Sequence, residues 1–261
     1  MTETVIRLSI FFGLFAAVAL WEWQRPRRAL AAPKGARWAT NWGVSLLDAV
    51  MVKLVFGAAA VGAALDAEAG GIGLFHSLAW PPLLEGVLVF VVLDLAIWFQ
   101  HWLSHRLPVL WRLHKVHHSD RDMDVTTAIR FHPVEIALSM VFKIGLVYAL
   151  GAPAWAVVAF EVVLNGSAMF NHGNVRLPTR LDRWLRLVIV TPDMHRVHHS
   201  VIRAEHDTNF GFNLSLWDRI FGTYTAQPAR GHAAMQVGLT DHQDLAPTRL
   251  LWTLWLPFRR G

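Results

Sequence analysis

His195-Arg196-Val197-His198-His199 is the stretch on which the reading of this chain turns. Its spacing recurs upstream as His114-Lys115-Val116-His117-His118, and His101-Trp102-Leu103-Ser104-His105 precedes both. Eight of the fourteen histidines thus fall in three short words, HxxxH, HxxHH and HxxHH. Residues three or four apart share one face of a helix, so each word aims two or three imidazoles in one direction. Converging imidazoles suit Fe, Zn or Cu rather than Mg or Ca. Adjacent helical residues point about 100° apart, so one word can serve two ions. Eight imidazoles overfill a single tetrahedral or octahedral ion, which argues for two metals.

The composition sets the surroundings of such a site. Of 261 residues, 54% are hydrophobic and only 16% charged, against roughly 25% charged in soluble domains. Thirteen tryptophans and fifteen phenylalanines against two tyrosines suit a chain that meets lipid. A net charge of +5 fits nucleic acid or anionic lipid. Apolar runs beside the basic stretches favour lipid, and no nucleic-acid partner is expected. Cysteine is absent, which excludes disulfides, thiolate ligands, Fe–S clusters and cysteine nucleophiles. Any metal must be held by nitrogen and oxygen.

Working outward, residues 5–20 form a first apolar run, read as a membrane anchor because a basic start and a clear signal-cleavage site are missing. Residues 43–65 form a second, with Lys53 inside it, and residues 83–99 a third that ends where His101 begins. Two further runs, 134–150 and 154–170, are separated only by Gly151-Ala152-Pro153. Each is slightly short of the ~20 residues of a perpendicular crossing, so this hairpin either crosses and returns or dips partway. Positive-inside bias orients the chain: the basic 21–42 loop is cytoplasmic and the 66–82 loop, without Lys or Arg, is outside. All three histidine words then land on the cytoplasmic face. Beyond residue 171 the chain is more polar. Arg176, Arg180, Arg183, Arg186 and Arg196 are expected at the surface, and Leu181–Val190 and Leu250–Phe258 as interfacial helices.

The expected fold is all-α, an integral membrane bundle of about four to five spans with a cytoplasmic histidine-rich helical cap. Residues 1–82 would be N-terminal spans, 83–225 the metal-binding domain including the 134–170 hairpin, and 226–261 an interfacial tail. His172 in Phe170-Asn171-His172-Gly173-Asn174 is a candidate ninth ligand, the alternative being a helix-end histidine bonded to backbone. His132, in Arg130-Phe131-His132-Pro133-Val134-Glu135, is open between ligand, partner of a ligand and cavity lining. Asp94, on the stripe of His101, either accepts the second N–H of a ligating histidine or pairs with Lys53. His76 falls on the outer side, and His206, His232 and His242 read as solvated.

No HExxH is present, and zinc hydrolases keep about three protein ligands with an open water site. Two nitrogen-ligated ions in a membrane point instead to iron and O2. A zinc-dependent membrane hydrolase or isomerase acting on a lipid is the alternative.

The order HxxxH, HxxHH, HxxHH, with the intervening RxHPxE and NHxN words and the trailing NFG…LSLWDRIFGTY, resembles the fatty acid hydroxylase superfamily, and within it bacterial sterol desaturase family proteins. The resemblance runs from about residue 85 to 225. It implies a non-haem di-iron oxygenase with His101, His105, His114, His117, His118, His172, His195, His198 and His199 as ligands. Where some relatives carry a second histidine four residues after His172, this chain has Arg176; Asn174 or water would complete the set, and Asp193 is a further candidate for ligand or support. The implied activity is hydroxylation or desaturation of a fatty acyl, sterol-like or ether lipid. It implies O2, an external electron donor of ferredoxin, reductase or cytochrome type, and a multi-pass inner (cell) membrane location.

Overall fold

The computed structural model describes residues 3–78 and 80–259. The first eight helices are Glu3–Gln24 (α1), Lys34–Phe56 (α2), Ala59–Gly70 (α3), the five-residue Leu74–Leu78 (α4), Pro82–Arg106 (α5), Pro108–His118 (α6), Pro133–Leu150 (α7) and Ala154–His172 (α8). Short helices follow: Thr179–Leu185 (α9), Pro192–His198 (α10), Arg203–His206 (α11), Leu216–Ile220 (α12), Gly231–Ala234 (α13) and Leu250–Trp255 (α14). Among the described residues, extended pairing is confined to isolated bridges such as Pro26 with Val175. The chain is therefore all-α, as its periodicity suggests.

Among the described residues, five stretches are long and apolar enough to cross a membrane: α1, the run Lys34–Leu78, α5, α7 and α8. The hairpin helices α7 and α8 have 18 and 19 residues. At 1.5 Å per residue they reach about 27–29 Å, close to the ~30 Å hydrocarbon core, so the hairpin has the length to cross. The second run differs from the expected single span over 43–65. Helix α2 starts at Lys34, and the chain breaks where Gly57 and Ala59 take φ of 60° and 52°. Lys53 lies exposed in the last turn of α2 and does not meet Asp94.

Past the break, α3 presents Ala60, Ala63, Ala64 and Ala67 inward. Small side chains let helices approach closely in lipid, and α3 packs against α7 and α8. Ala60, Ala63 and Ala64 join Val89 and Leu93 of α5, Val147 of α7 and Val157 and Phe160 of α8 in one apolar core. Gly86 serves the same end: a Cβ there would sit 2.1 Å from the Trp155 ring, so only glycine lets α5 meet α8 at that level.

The two ends of the bundle differ in character. At one, Tyr148 donates to Asp66 at 2.7 Å and the Ala154 amide to Glu68 at 2.7 Å, which ties the end of α3, where a loop from residue 66 was expected, to the α7–α8 turn. At the other, Arg27 donates to Asp193 at 3.0 Å, and the Ala31 and Ala32 amides donate to Asp122. The basic 21–42 segment and the histidine words thus share one end, opposite the 66–82 segment, which has no Lys or Arg.

That end is stiffened by buried charge. Arg37 forks onto both oxygens of Asp120 at 2.6 and 2.8 Å and reaches Asp124 at 2.7 Å. Arg130, fully buried, donates to the Val116, Asn41, Ser119, Pro247 and Thr253 oxygens. Burial alone would raise the Asp120 carboxyl, but Arg37 and Arg130 pull it down to about 2. Helix α14 docks on α2 through this cluster, with Leu251 and Trp255 turned outward as an interfacial stretch would have them. Arg260 lies outside the described residues.

Candidate metal centre

Local sequence places each histidine word. Helix α5 runs unbroken through His101 and His105, then Leu107 takes an extended conformation and Pro108 starts α6 at once. Proline suits a first helical turn because its missing N–H would be unpaired there. The reversal lays α6, with His114, His117 and His118, against the end of α5. His172 is the last residue of α8. Pro192 opens α10 behind a Thr191 cap whose side chain accepts from the Met194 amide, and α10 carries His195 and His198 with His199 at its end.

These nine imidazoles are each no more than 5% exposed, and they fall into two sets. His101, His105, His114, His118 and His198 each bring a nitrogen within 4.8 Å of the others, and so do His117, His172, His195 and His199. Each HH pair divides between the sets: His118 and His198 go to the five, His117 and His199 to the four. The divergence of neighbouring helical side chains produces this split.

Hydrogen bonds orient the rings. Nδ1–H donates to the Phe210 carbonyl from His101 (2.7 Å), to Glu135 from His114 (2.6 Å) and to the Thr208 carbonyl from His198 (2.7 Å). His105 Nδ1 stands 3.4 Å from Asp207. All four Nε2 atoms are then buried without a partner. In the other set, His117 Nδ1 faces the Arg130 carbonyl at 3.2 Å and His172 Nδ1 the Ala168 carbonyl at 2.7 Å. Their Nε2 atoms stand 3.1 Å apart, and His172 Nε2 is 3.0 Å from His195 Nε2.

Donor chemistry tests whether these residues fit a metal. With Nδ1 protonated, the facing Nε2 atoms of His117 and His172 are both lone pairs and repel. A cation between them converts that repulsion to attraction. Burial, then the neighbouring imidazoles, hold His117, His118, His195 and His199 well below the ordinary histidine range, and His198 likewise. Lone pairs are therefore available at neutral pH, and the residues fit two nitrogen-ligated ions.

The other candidates are placed elsewhere. His132 caps α7: its Nδ1 accepts from the Val134 amide and its Nε2 donates to the Leu254 carbonyl at 3.2 Å, which uses both nitrogens. Asp94 accepts from the Trp217 indole at 2.7 Å and the Leu214 amide, so it braces residues 214–217 and bonds no histidine. Asn174 bonds the Arg28 backbone from both ends of its amide. Asp193 pairs with Arg196 and Arg27 and anchors α10 to the basic loop. Arg196 and Arg186, expected at the surface, are buried against Asp193 and Asp182, because their carboxylates lie one turn away. His232, expected in solvent, is buried 3.7 Å from Asp193. His206 is half-buried against Trp111 rather than solvated.

Sequence reasoning missed the carboxylates Glu135 and Asp207 that face ligand-set histidines. Glu135 stands in the RxHPxE word, where its position three residues after His132 was the available signal. Asp207 had none. Asp218 was also missed: it accepts from the Trp98 indole and the Phe210 and Gly211 amides, which fixes the loop whose carbonyl holds His101.

Comparison with known proteins gives the same region. A fatty acid hydroxylase family model matches residues 86–223. The ornithine lipid hydroxylase OlsE of Rhizobium tropici is 34% identical over 165 residues, covering 62% of this chain and 47% of that protein. Human alkylglycerol monooxygenase is 28% identical over 156 residues, covering 58% and 33%. Human cholesterol 25-hydroxylase is 27% identical over 157 residues, covering 57% and 55%. The chain thus spans about half the length, or less, of the first curated relatives it matches. No solved structure matches.

Proposed function

The chain belongs to the fatty acid hydroxylase family, and on that basis we propose that it is a membrane oxygenase holding two iron ions that oxidises a lipid C–H bond. The supporting observation is the division of nine buried imidazoles into sets of five and four. The overall reaction is R–H + O2 + 2e⁻ + 2H⁺ → R–OH + H2O, with desaturation as the variant in which a second hydrogen leaves instead. Two irons, when bound, supply the electrons that split O2 and the oxidising power to break an unactivated C–H bond.

The chain's own residues do the rest. Backbone carbonyls and Glu135 hold the imidazole N–H groups so that the opposite nitrogens face inward. Phe131 stacks on His117 at 4.4 Å, and Phe212 lies 5.1 Å from His101, which keeps water from the ring edges. Between α5, α6 and α7 an apolar cleft of about 200 Å³, lined by Leu103, Leu110, Leu113, Leu138 and Phe142, reaches Glu135. We assign it to a stretch of substrate hydrocarbon entering from the bilayer. The relatives' names describe an ornithine lipid, an alkylglycerol and cholesterol as substrates of those proteins; a lipid with a polar head and a long chain is the class proposed here. The basic 21–42 loop on the histidine end supports a cytoplasmic site in an inner (cell) membrane.

Nine imidazoles exceed the three protein ligands of a hydrolytic zinc site, so the oxygenase reading is preferred. Lipid extracts from cells expressing the protein under ¹⁸O2 test it. The expected result is a lipid carrying one ¹⁸O atom or, for desaturation, an unlabelled lipid two hydrogens poorer whose formation needs O2, absent in either case from the His198→Ala and His199→Ala variants. A lipid product formed without O2 or reductant would overturn it in favour of hydrolysis.

A further inference from the structure

The reaction proposed above consumes two electrons per turnover, and the inference that follows rests on that reading. All nine candidate ligands are buried, so electrons need a way through the protein surface. Trp111 precedes His114 by three residues, on the same face of α6. Its ring lies 5.0 Å from His105, 5.4 Å from His118 and 6.3 Å from His114, three members of the five-histidine set. On its other side it stacks on His206, 5.3 Å away and within 15° of parallel. His206 itself lies 5.6 Å from His105 and 5.9 Å from His118. Both Trp111 and His206 are half-buried, so this aromatic pair joins the five-histidine set to the surface. Among the described residues, the four-histidine set has the half-buried Phe131 and Phe212 as aromatic neighbours, and neither pairs with a histidine outside the two sets.

The surface around the pair is basic. Arg106 and Arg112 are exposed, Lys115 is half-buried one turn after Trp111, and the Arg203 side chain on α11 is 81% exposed. No carboxylate occurs between Leu95 and Ser119. The nearby Asp207 is only 18% exposed and already bonds Arg203 and His105. We propose that the Trp111–His206 face is the docking and electron-entry site for a soluble one-electron carrier with an acidic surface, an iron–sulfur or flavin protein. Two such carriers each give up one electron through the Trp111–His206 pair. The metal pair is thereby reduced by two electrons and both carriers are oxidised, while the two protons of the overall reaction come from solvent. Opposite charge speeds such encounters and makes them sensitive to salt.

The test uses the iron-loaded full chain in detergent, without O2, and reads reduction of the metal by its absorbance in stopped flow. The probe is a reduced plant-type [2Fe–2S] ferredoxin, with dithionite as the small-molecule control. Four results are expected. Arg112→Glu with Lys115→Glu slows reduction by ferredoxin at least tenfold at low salt, and the milder Arg112→Gln with Lys115→Gln gives a smaller loss in the same direction. Added salt slows the wild type towards the variant rate. Trp111→Leu lowers the rate at saturating ferredoxin. Dithionite reduces every one of these proteins at a rate within twofold of wild type. Ferredoxin rates unchanged by charge reversal, with dithionite reduction intact, would overturn the docking face and leave the oxygenase reading standing, the basic rim then serving lipid headgroups. Absence of any metal that dithionite reduces would overturn both.

Discussion

His114 Nδ1 lies 2.6 Å from Glu135 Oε1, a bond that joins the middle of α6 to the first turn of α7. A carboxylate there fixes the tautomer and strengthens the opposite nitrogen as a donor. Loss of such a partner typically weakens metal binding by about 10–100-fold. Glu135→Ala is therefore expected to release one of two metals to a chelator at a lower concentration, with Glu135→Gln, which keeps an acceptor, losing less. Equal weakening of both metals would show that the carboxylate does not act through His114 alone.

His172 and His132 separate ligand from scaffold. His172→Ala removes the nitrogen that faces both His117 and His195, so metal content should fall by about half while the five-histidine set stays filled. His132→Ala leaves both sets intact but loses a helix cap and a bond to Leu254, a stability cost of roughly 1–2 kcal/mol. Elemental analysis and thermal midpoint, taken together on both variants, should move in opposite patterns.

Eight of the nine histidines could be grouped because helical spacing dictates which face they share, whereas His172, alone in its word, stayed open between ligand and helix-end histidine; the spans were legible because lipid demands long apolar runs. The carboxylates were not, because Glu135 and Asp207 meet their histidines only through the packing of α7 on α6 and of α11 on α5. Nor were the burials of Arg37, Arg130 and Arg196, since an arginine in sequence reads as surface until a carboxylate or several carbonyls close around it. The break at Gly57–Ala59 was hidden for a similar reason. An alanine at φ 52° is unfavourable by itself and is held by the packing of α3 against α7 and α8.

Arg130 carries the next expectation. Its guanidinium donates to five acceptors contributed by α2, by α6 and Ser119 just after it, and by the C-terminal segment. Arg130→Met leaves those buried acceptors without a donor, at a cost of several kcal/mol, since each unsatisfied buried group costs about 1–3 kcal/mol. Arg112→Ala, on the exposed side of α6, should stay within about 0.5 kcal/mol of wild type. Unfolding in detergent by urea compares the two.

Acid should destabilise the metal-free protein. His117, His118, His195, His198 and His199 titrate well below the ordinary range when folded, by burial first and mutual repulsion second. In the unfolded chain they titrate near pH 6.5, so below that pH the unfolded state binds more protons and stability falls as pH falls. The thermal midpoint should be flat from pH 8 to 7 and drop steadily below about 6.5. A midpoint that rises on acidification would mean that these rings are charged in the fold.

The division of the imidazoles into a five and a four is most directly tested by Mössbauer spectroscopy of protein loaded with ⁵⁷Fe and reduced. Two quadrupole doublets of equal area, one removed by His172→Ala and the other retained, are expected from two ferrous ions in unlike nitrogen environments. A single doublet from one bound ion, or a spectrum indifferent to His172→Ala, would contradict it.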